Sequence, residues 1–136
     1  FFMPKKLKPK ASSVKLAPFV MNVADRFPGI WDAYQALGDA AAQAGPLSKR
    51  DQRIVKLALA IGAGSEGATH SHARRGISEG VTEPEMVHVA MLAITSLGWS
   101  QAMRGLAWVE DVTAKGSRRQ SRSASRSKPA RSRKRQ

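Results

Sequence analysis

Apolar side chains recur every three or four positions through most of the middle of the chain. The first such segment runs from Pro28 to Ala44 and is followed by Gly45-Pro46. Its apolar positions are Ile30, Trp31, Tyr34, Leu37 and Ala41. This spacing gathers apolar side chains on one face of an α-helix, and a Gly-Pro pair ends a helix. We therefore predict a helix over 28–44.

Four further segments carry the same spacing, and each begins or ends at a residue that suits a helix terminus. Ser48 is predicted to cap a helix that ends in the Gly-Ala-Gly of 62–64, and the next helix is predicted to run from about Glu66 to Glu79. Thr82 is predicted to cap a helix with Glu85 at its capping-box position, and the last helix is predicted over about 100–112. No segment shows the strict alternation typical of a strand. The sequence therefore predicts an all-α protein.

The charge is concentrated at the two ends of the chain. The 136 residues carry a formal net charge of +13. Residues 1–15 hold five lysines and 115–136 hold ten Lys/Arg, and neither segment has an acid, whereas 16–114 carries a small negative net charge. We therefore predict a basic flexible arm over 1–15, a helical domain over 16–114 and a separate basic tail over 115–136.

The tail is a low-complexity Ser/Arg/Lys segment without an apolar residue larger than alanine. Such a segment cannot bury enough surface to offset its chain entropy, so we predict that 115–136 is disordered. Dense positive charge binds polyanions by counterion release, and we expect non-specific contact with nucleic acid through this tail. The tail has no aromatic residue on which bases could stack.

Cysteine is absent, which excludes disulfides, thiolate metal sites and thiol catalysis. A cysteine-free chain fits a reducing compartment, and we expect a cytoplasmic protein. No apolar run approaches the roughly 20 residues that span a bilayer, so we expect no membrane association.

The stretch GAGSEGATHSHARRGISEGVTEPEM, residues 62–86, concentrates polar and titratable side chains around one predicted helix start. A capped helix leads into a turn of small residues, then a helix with a histidine, then EGVTEPEM opening the next helix. In this order and spacing, the region from about Phe27 to Asp111 resembles the carboxymuconolactone decarboxylase family, which includes alkylhydroperoxidase D (AhpD). The resemblance implies an AhpD-like helical bundle that assembles into oligomers.

Peroxidase members of that family carry Cys-x-x-Cys, a histidine four residues later and a glutamate on the preceding helix. The resemblance places the cysteines at Ser65 and Ala68, the histidine at His72 and the glutamate at Arg53. Only the histidine is retained. A serine hydroxyl cannot form a disulfide or act as a thiolate at neutral pH, so thiol-dependent peroxidase (peroxiredoxin-type) chemistry is excluded.

Three residues remain as candidate catalytic groups: His72, Glu66 and His70. A neutral imidazole suits general acid/base work, but a half-buried histidine that hydrogen-bonds a neighbouring turn is the commoner case. Glu66 and His70 share a helix face and could act as a pair, although Glu66 equally suits the positive end of the helix dipole.

Other chemistries are less favoured by the spacing. His70 and His72 point about 200° apart on a helix and cannot share one metal ion, so we expect no metal and no cofactor. Ser65 lacks the strand and the glycine spacing of a hydrolase nucleophile elbow. The cations Lys49, Arg50, Arg53, Arg74 and Arg75 either line an anion-binding entrance or form a solvated face.

Two hypotheses about function follow. In the first, His72 and Glu66 perform acid/base chemistry on a small organic acid or lactone. In the second, the protein is a non-catalytic helical oligomer that serves as a binding or scaffold module, with a polyanion-binding tail. Both include self-association, because the helix over 86–97 is apolar on more than one face and the core is small. We expect a homo-oligomer, a trimer or a hexamer.

Overall fold

The computed structural model describes the backbone of residues 18–126 and the side chains of residues 18–114. This part of the chain folds into six α-helices and contains no strand, as the sequence predicts. The helices are α1 Pro18–Arg26, α2 Pro28–Gln43, α3 Lys49–Gly62, α4 Glu66–Ser78, α5 Glu83–Leu97 and α6 Trp99–Arg126. None of them is both long and apolar enough to cross a membrane. The predicted basic arm over 1–15 lies outside the described residues.

The chain divides into two compact units, and the first comprises Phe1–Ala41. It contains α1, which the sequence analysis does not predict, and most of α2. Within α2 the rings of Trp31 and Tyr34 lie 6.0 Å apart at a tilt of 37°. Among the described residues of this unit, six large apolar side chains are exposed: Phe19, Met21, Phe27, Ile30, Tyr34 and Leu37.

The second unit, Ala42–Gln136, contains the hydrophobic core. Helices α3 to α6 and the turn before α5 all contribute to it, through Leu57, Ile61, Ala73, Val81, Met86, Val89, Ala90 and Val109. Gly105 of α6 packs against Ile61 of α3. A Cβ built on Gly105 would lie 2.5 Å from Cγ2 of Ile61, so only glycine fits at that point. Helix α3, which carries Arg53, also packs against α4 and α5.

Two helix starts have the geometry that the sequence predicts. The Ser48 hydroxyl oxygen accepts a hydrogen bond from the backbone nitrogen of Asp51 at 3.1 Å. At the start of α5, the backbone nitrogen of Thr82 donates to Oε2 of Glu85 at 2.8 Å. Both bonds satisfy groups at a helix terminus that have no partner within the helix.

Helix α5 uses more of its apolar surface inside its own chain than the sequence analysis assumes. It packs against both α6 and α3, and Met86, Val89 and Ala90 are buried. Of its large apolar residues, only Leu92 and Leu97 are exposed, at 60% and 43%. The apolar surface that α5 leaves exposed is therefore smaller than the sequence analysis assumes.

The last helix, α6, continues to Arg126, well beyond its predicted end near Val112. It thereby enters the segment 115–136 for which the sequence predicts disorder. Residues 127–136 lie outside the described residues. Disorder and polyanion binding of the tail stay predictions.

Candidate functional site

Helices α3 and α4 pack side by side and bring Arg53 against His72. Nη1 of Arg53 donates a hydrogen bond to Nδ1 of His72 at 2.8 Å, across 19 positions of the sequence. Gly76, one turn further along α4, packs closely against α5: a Cβ there would lie 2.8 Å from Cε of Met86. At position 53, where the resemblance implies a glutamate, an arginine thus forms a hydrogen bond with His72.

The carboxylate of Glu79 holds the other side of the Arg53 guanidinium. Nε of Arg53 donates to Oε2 of Glu79 at 2.8 Å, and Nη2 donates to Oε1 at 3.0 Å. This bidentate geometry is the strongest hydrogen-bonding arrangement that an arginine forms with a carboxylate. The hydrogen bond from Arg53 is the main reason that the pKa of Glu79 lies below its ordinary value. Glu79 is therefore ionised at neutral pH and fixes the position of Arg53.

The surroundings of His72 keep its imidazole neutral. Burial and then the positive charges of Arg53, Arg75 and Lys56 lower the pKa of His72 from 6.5 to about 4, while Glu79 opposes the shift. Burial and like charges both disfavour a protonated imidazole. At neutral pH His72 therefore carries no charge.

The hydrogen bond from Arg53 also defines which ring nitrogen of His72 carries the proton. A guanidinium nitrogen can only donate, so Nδ1 must accept and the proton of the neutral ring lies on Nε2. The lone pair that a general base would use is occupied on Nδ1 and absent on Nε2. His72 can therefore donate a hydrogen bond through Nε2, but it is a weak proton acceptor.

The two positions where the resemblance expects cysteines lie at the beginning of α4. Ser65 is the N-cap, and its hydroxyl oxygen accepts a hydrogen bond from the backbone nitrogen of Ala68 at 3.3 Å. Its carbonyl oxygen accepts from the hydroxyl of Thr69 at 2.8 Å. Ser65 thus performs a structural role that serine performs well.

Glu66 and His70, the other predicted catalytic residues, are held apart from His72. Glu66 is exposed in the first turn of α4, where its charge suits the helix dipole. Glu66 and His72 are six positions apart, so they lie roughly 120° from each other around the helix axis. Nε2 of His70 lies 3.3 Å from Oδ2 of Asp111 on α6, but the geometry does not make a hydrogen bond. His70 and Asp111 therefore form an ion pair only when the imidazole is protonated.

Glu79 is the functional residue that the sequence analysis misses. It is predicted only as the last residue of a helix, and no spacing relates it to Arg53, 26 positions earlier. Among the described residues, no group of three or more histidine, aspartate or glutamate side chains is arranged to hold a metal ion.

The described residues form a bundle of α-helices in which His72 lies on the helix that follows a turn of small residues. The family model of the carboxymuconolactone decarboxylase family matches residues 28–111. The chain belongs to that family, as the resemblance predicts. Comparison with curated proteins and with solved structures gave no significant match.

The pKa of His72 provides a direct test of this geometry. We expect Arg53→Gln to raise it from about 4 towards 6.5, because the variant removes a positive charge and leaves the Glu79 carboxylate uncompensated. The matched control is Arg50→Gln on the same helix, since Arg50 pairs with Glu85 and does not contribute to the pKa shift of His72. The pKa is measured by NMR titration of the imidazole ring.

The sign of the pH dependence follows from the same shift. Because the pKa of His72 is lower in the folded chain, the unfolded chain binds more protons between about pH 4 and 6.5. This residue therefore destabilises the fold as the pH falls through that window, and Arg53→Gln should reduce its contribution. A His72 pKa near 6.5 in the unaltered protein would contradict the assigned contact between Arg53 and His72. The same His72 pKa in Arg53→Gln and Arg50→Gln would also contradict it.

Proposed function

We propose that this protein is a cysteine-free member of its family that binds a small organic acid or lactone without transforming it. The observation that carries the proposal is the hydrogen bond from Arg53 to Nδ1 of His72. It leaves Nε2–H of a neutral imidazole as a donor, which is the group that a carbonyl or carboxylate oxygen accepts from. Of the two functions considered from the sequence, the non-catalytic one fits this geometry better.

Acid/base chemistry is disfavoured because its central residue is poorly matched to the task. Proton transfer at neutral pH is most efficient when the pKa of the catalytic group lies near the operating pH. The pKa of His72 is about 4, so the charged form is scarce at neutral pH and the neutral form is a weak base. Glu66, the predicted helper, lies on a different side of α4.

Thiol chemistry is excluded by composition, since the chain contains no cysteine. Ser65, at one of the positions where the resemblance expects a cysteine, caps α4 instead. The family's redox reaction is therefore no part of the proposed function.

The test is to titrate the protein with a panel of small organic acids and lactones while following the His72 ring by NMR. We expect ligands that shift the His72 signals and are recovered unchanged. His72→Gln should weaken their binding by about three- to tenfold, the effect of one hydrogen bond, whereas His88→Gln on the exposed face of α5 should not. If instead a ligand is converted to a product, and His72→Gln abolishes that conversion, the protein is an acid/base enzyme.

We further propose that the protein forms a homo-oligomer, a trimer or a hexamer, through apolar residues that its own fold leaves exposed. On α5 these residues are Leu92 and Leu97, which are 60% and 43% exposed. Leu92→Glu should lower the mass measured by light scattering, because a charge cannot be buried in such an interface without a partner. Ile77→Glu, a comparable change on α4, is the control. A monomer mass for the unaltered protein at micromolar concentration would contradict self-association.

A further inference from the structure

The last helix continues beyond the part of it that packs in the hydrophobic core. The backbone of α6 is helical from Trp99 to Arg126, and the last buried residue among its described side chains is Thr113. Residues 115–126 contain no acid and no apolar residue larger than alanine. Most helices in proteins are stabilised by the packing of an apolar face. Apolar packing therefore does not account for a helical backbone over 115–126.

The basic residues of this segment recur at helical spacing. At 3.6 residues per turn, their five positions fall within an arc of about 100° around the helix axis. The positions in between hold only glycine, serine, alanine and glutamine. We call these five positions the basic face of α6: Lys115, Arg118, Arg119, Arg122 and Arg126.

The register of α6 separates the basic face from the face that packs in the core. Val109 and Thr113 are buried, and their positions lie roughly 140° around the helix axis from the centre of the basic face. The last acids of the helix, Glu110 and Asp111, precede the basic face and are exposed. A ligand on the basic face therefore does not compete with the packing of α6.

The charges of the basic face repel one another. Three pairs of cations are four positions apart, at 115 and 119, 118 and 122, and 122 and 126. Like charges at this spacing destabilise a helix. A row of negative charges along the face would remove the repulsion, so the helix over 115–126 is more stable with a polyanion bound than without one.

The spacing of the cations matches the spacing of phosphates in a duplex. Positions 115 to 126 span about 17 Å along the helix axis, which gives one cation for about every 4 Å. Each strand of duplex DNA places one phosphate per about 3.4 Å of its axis. We propose that the basic face of α6 binds double-stranded nucleic acid along its phosphate backbone. This inference involves no residue of the His72 site and is independent of the proposed function.

The composition of the segment favours a duplex over other polyanionic partners. Residues 115–126 contain no aromatic side chain on which the bases of a single strand could stack. They also lack the large apolar residues with which an amphipathic helix enters a membrane interface. A phosphate backbone requires neither feature, because it is bound through charge.

The experiment measures fluorescence anisotropy of a short labelled DNA duplex titrated with the full chain at several salt concentrations. Arg118→Gln combined with Arg122→Gln should weaken binding by about tenfold and make the slope of log affinity against log salt shallower by about 2. The matched control combines Lys128→Gln with Arg131→Gln, which removes the same charge from outside the described helix. We expect a clearly smaller loss in the control.

A second pair of variants tests the helix without changing the charge. Ser121→Pro retains every cation but interrupts the helix in the middle of the basic face, so it should weaken duplex binding severalfold. Ser132→Pro, outside the described helix, is the control and should bind like the unaltered protein. Thermal unfolding verifies that the domain before the basic face is folded in every variant.

Equal losses in the two double variants would overturn this inference, as would unchanged binding by Ser121→Pro, because total charge would then suffice. A single strand of the same length, or vesicles containing an anionic phospholipid, would also overturn it by binding as tightly as the duplex. An RNA duplex distinguishes the source: binding of only one duplex type identifies DNA or RNA, and binding of both supports recognition of the shared phosphate backbone.

Discussion

The guanidinium of Arg53, shared between Glu79 and His72, is the interaction on which the rest of the site depends. Its three nitrogens are all engaged, two by the carboxylate and one by the imidazole. The Arg53 side chain is only 12% exposed, so these charge-assisted bonds form largely out of water. One residue of α3 thereby holds His72 of α4 and Glu79, the residue that follows α4, and its bond to His72 determines which ring nitrogen carries the proton.

The arginine at position 53 reverses the charge that the resemblance implies beside the histidine. The resemblance implies a glutamate at position 53, which would accept a hydrogen bond from the histidine and favour its protonated form. Arginine donates instead and favours the neutral form. The absence of cysteine and the arginine at position 53 are two separate departures from the peroxidase pattern that the resemblance implies. The retained histidine is left as a hydrogen-bond donor.

Much of the fold is predictable from the sequence because helix spacing and helix ends are local properties. The Ser48 cap, the Thr82–Glu85 bond and the order of the helices from α2 to α6 follow from residues only a few positions apart. Helix α1 is missed because it is short and follows soon after the lysine-rich segment 1–15 in the sequence. The end of α6 is missed because serine and arginine repeats carry no apolar stripe to mark a helix.

The site is predictable only in part. The position of His72 follows from its place after the small-residue turn, but its charge state depends on contacts between helices. The packing of α3 against α4 determines that Arg53 is the α3 side chain that contacts His72. The same packing brings Glu79 to Arg53, whose charge it neutralises. Glu66 is a poor partner for His72 for a local reason, because the two are six positions apart and lie roughly 120° from each other around the axis of α4.

The most direct measurement is a two-dimensional proton–nitrogen NMR spectrum that correlates the ring nitrogens of His72 with its carbon-bound protons at neutral pH. Nitrogen shifts in neutral histidine differ strongly between the nitrogen that carries the proton and the one that accepts. The structure predicts a protonated Nε2 and an unprotonated Nδ1. A protonated Nδ1, or a charged ring with both nitrogens protonated, would contradict the account.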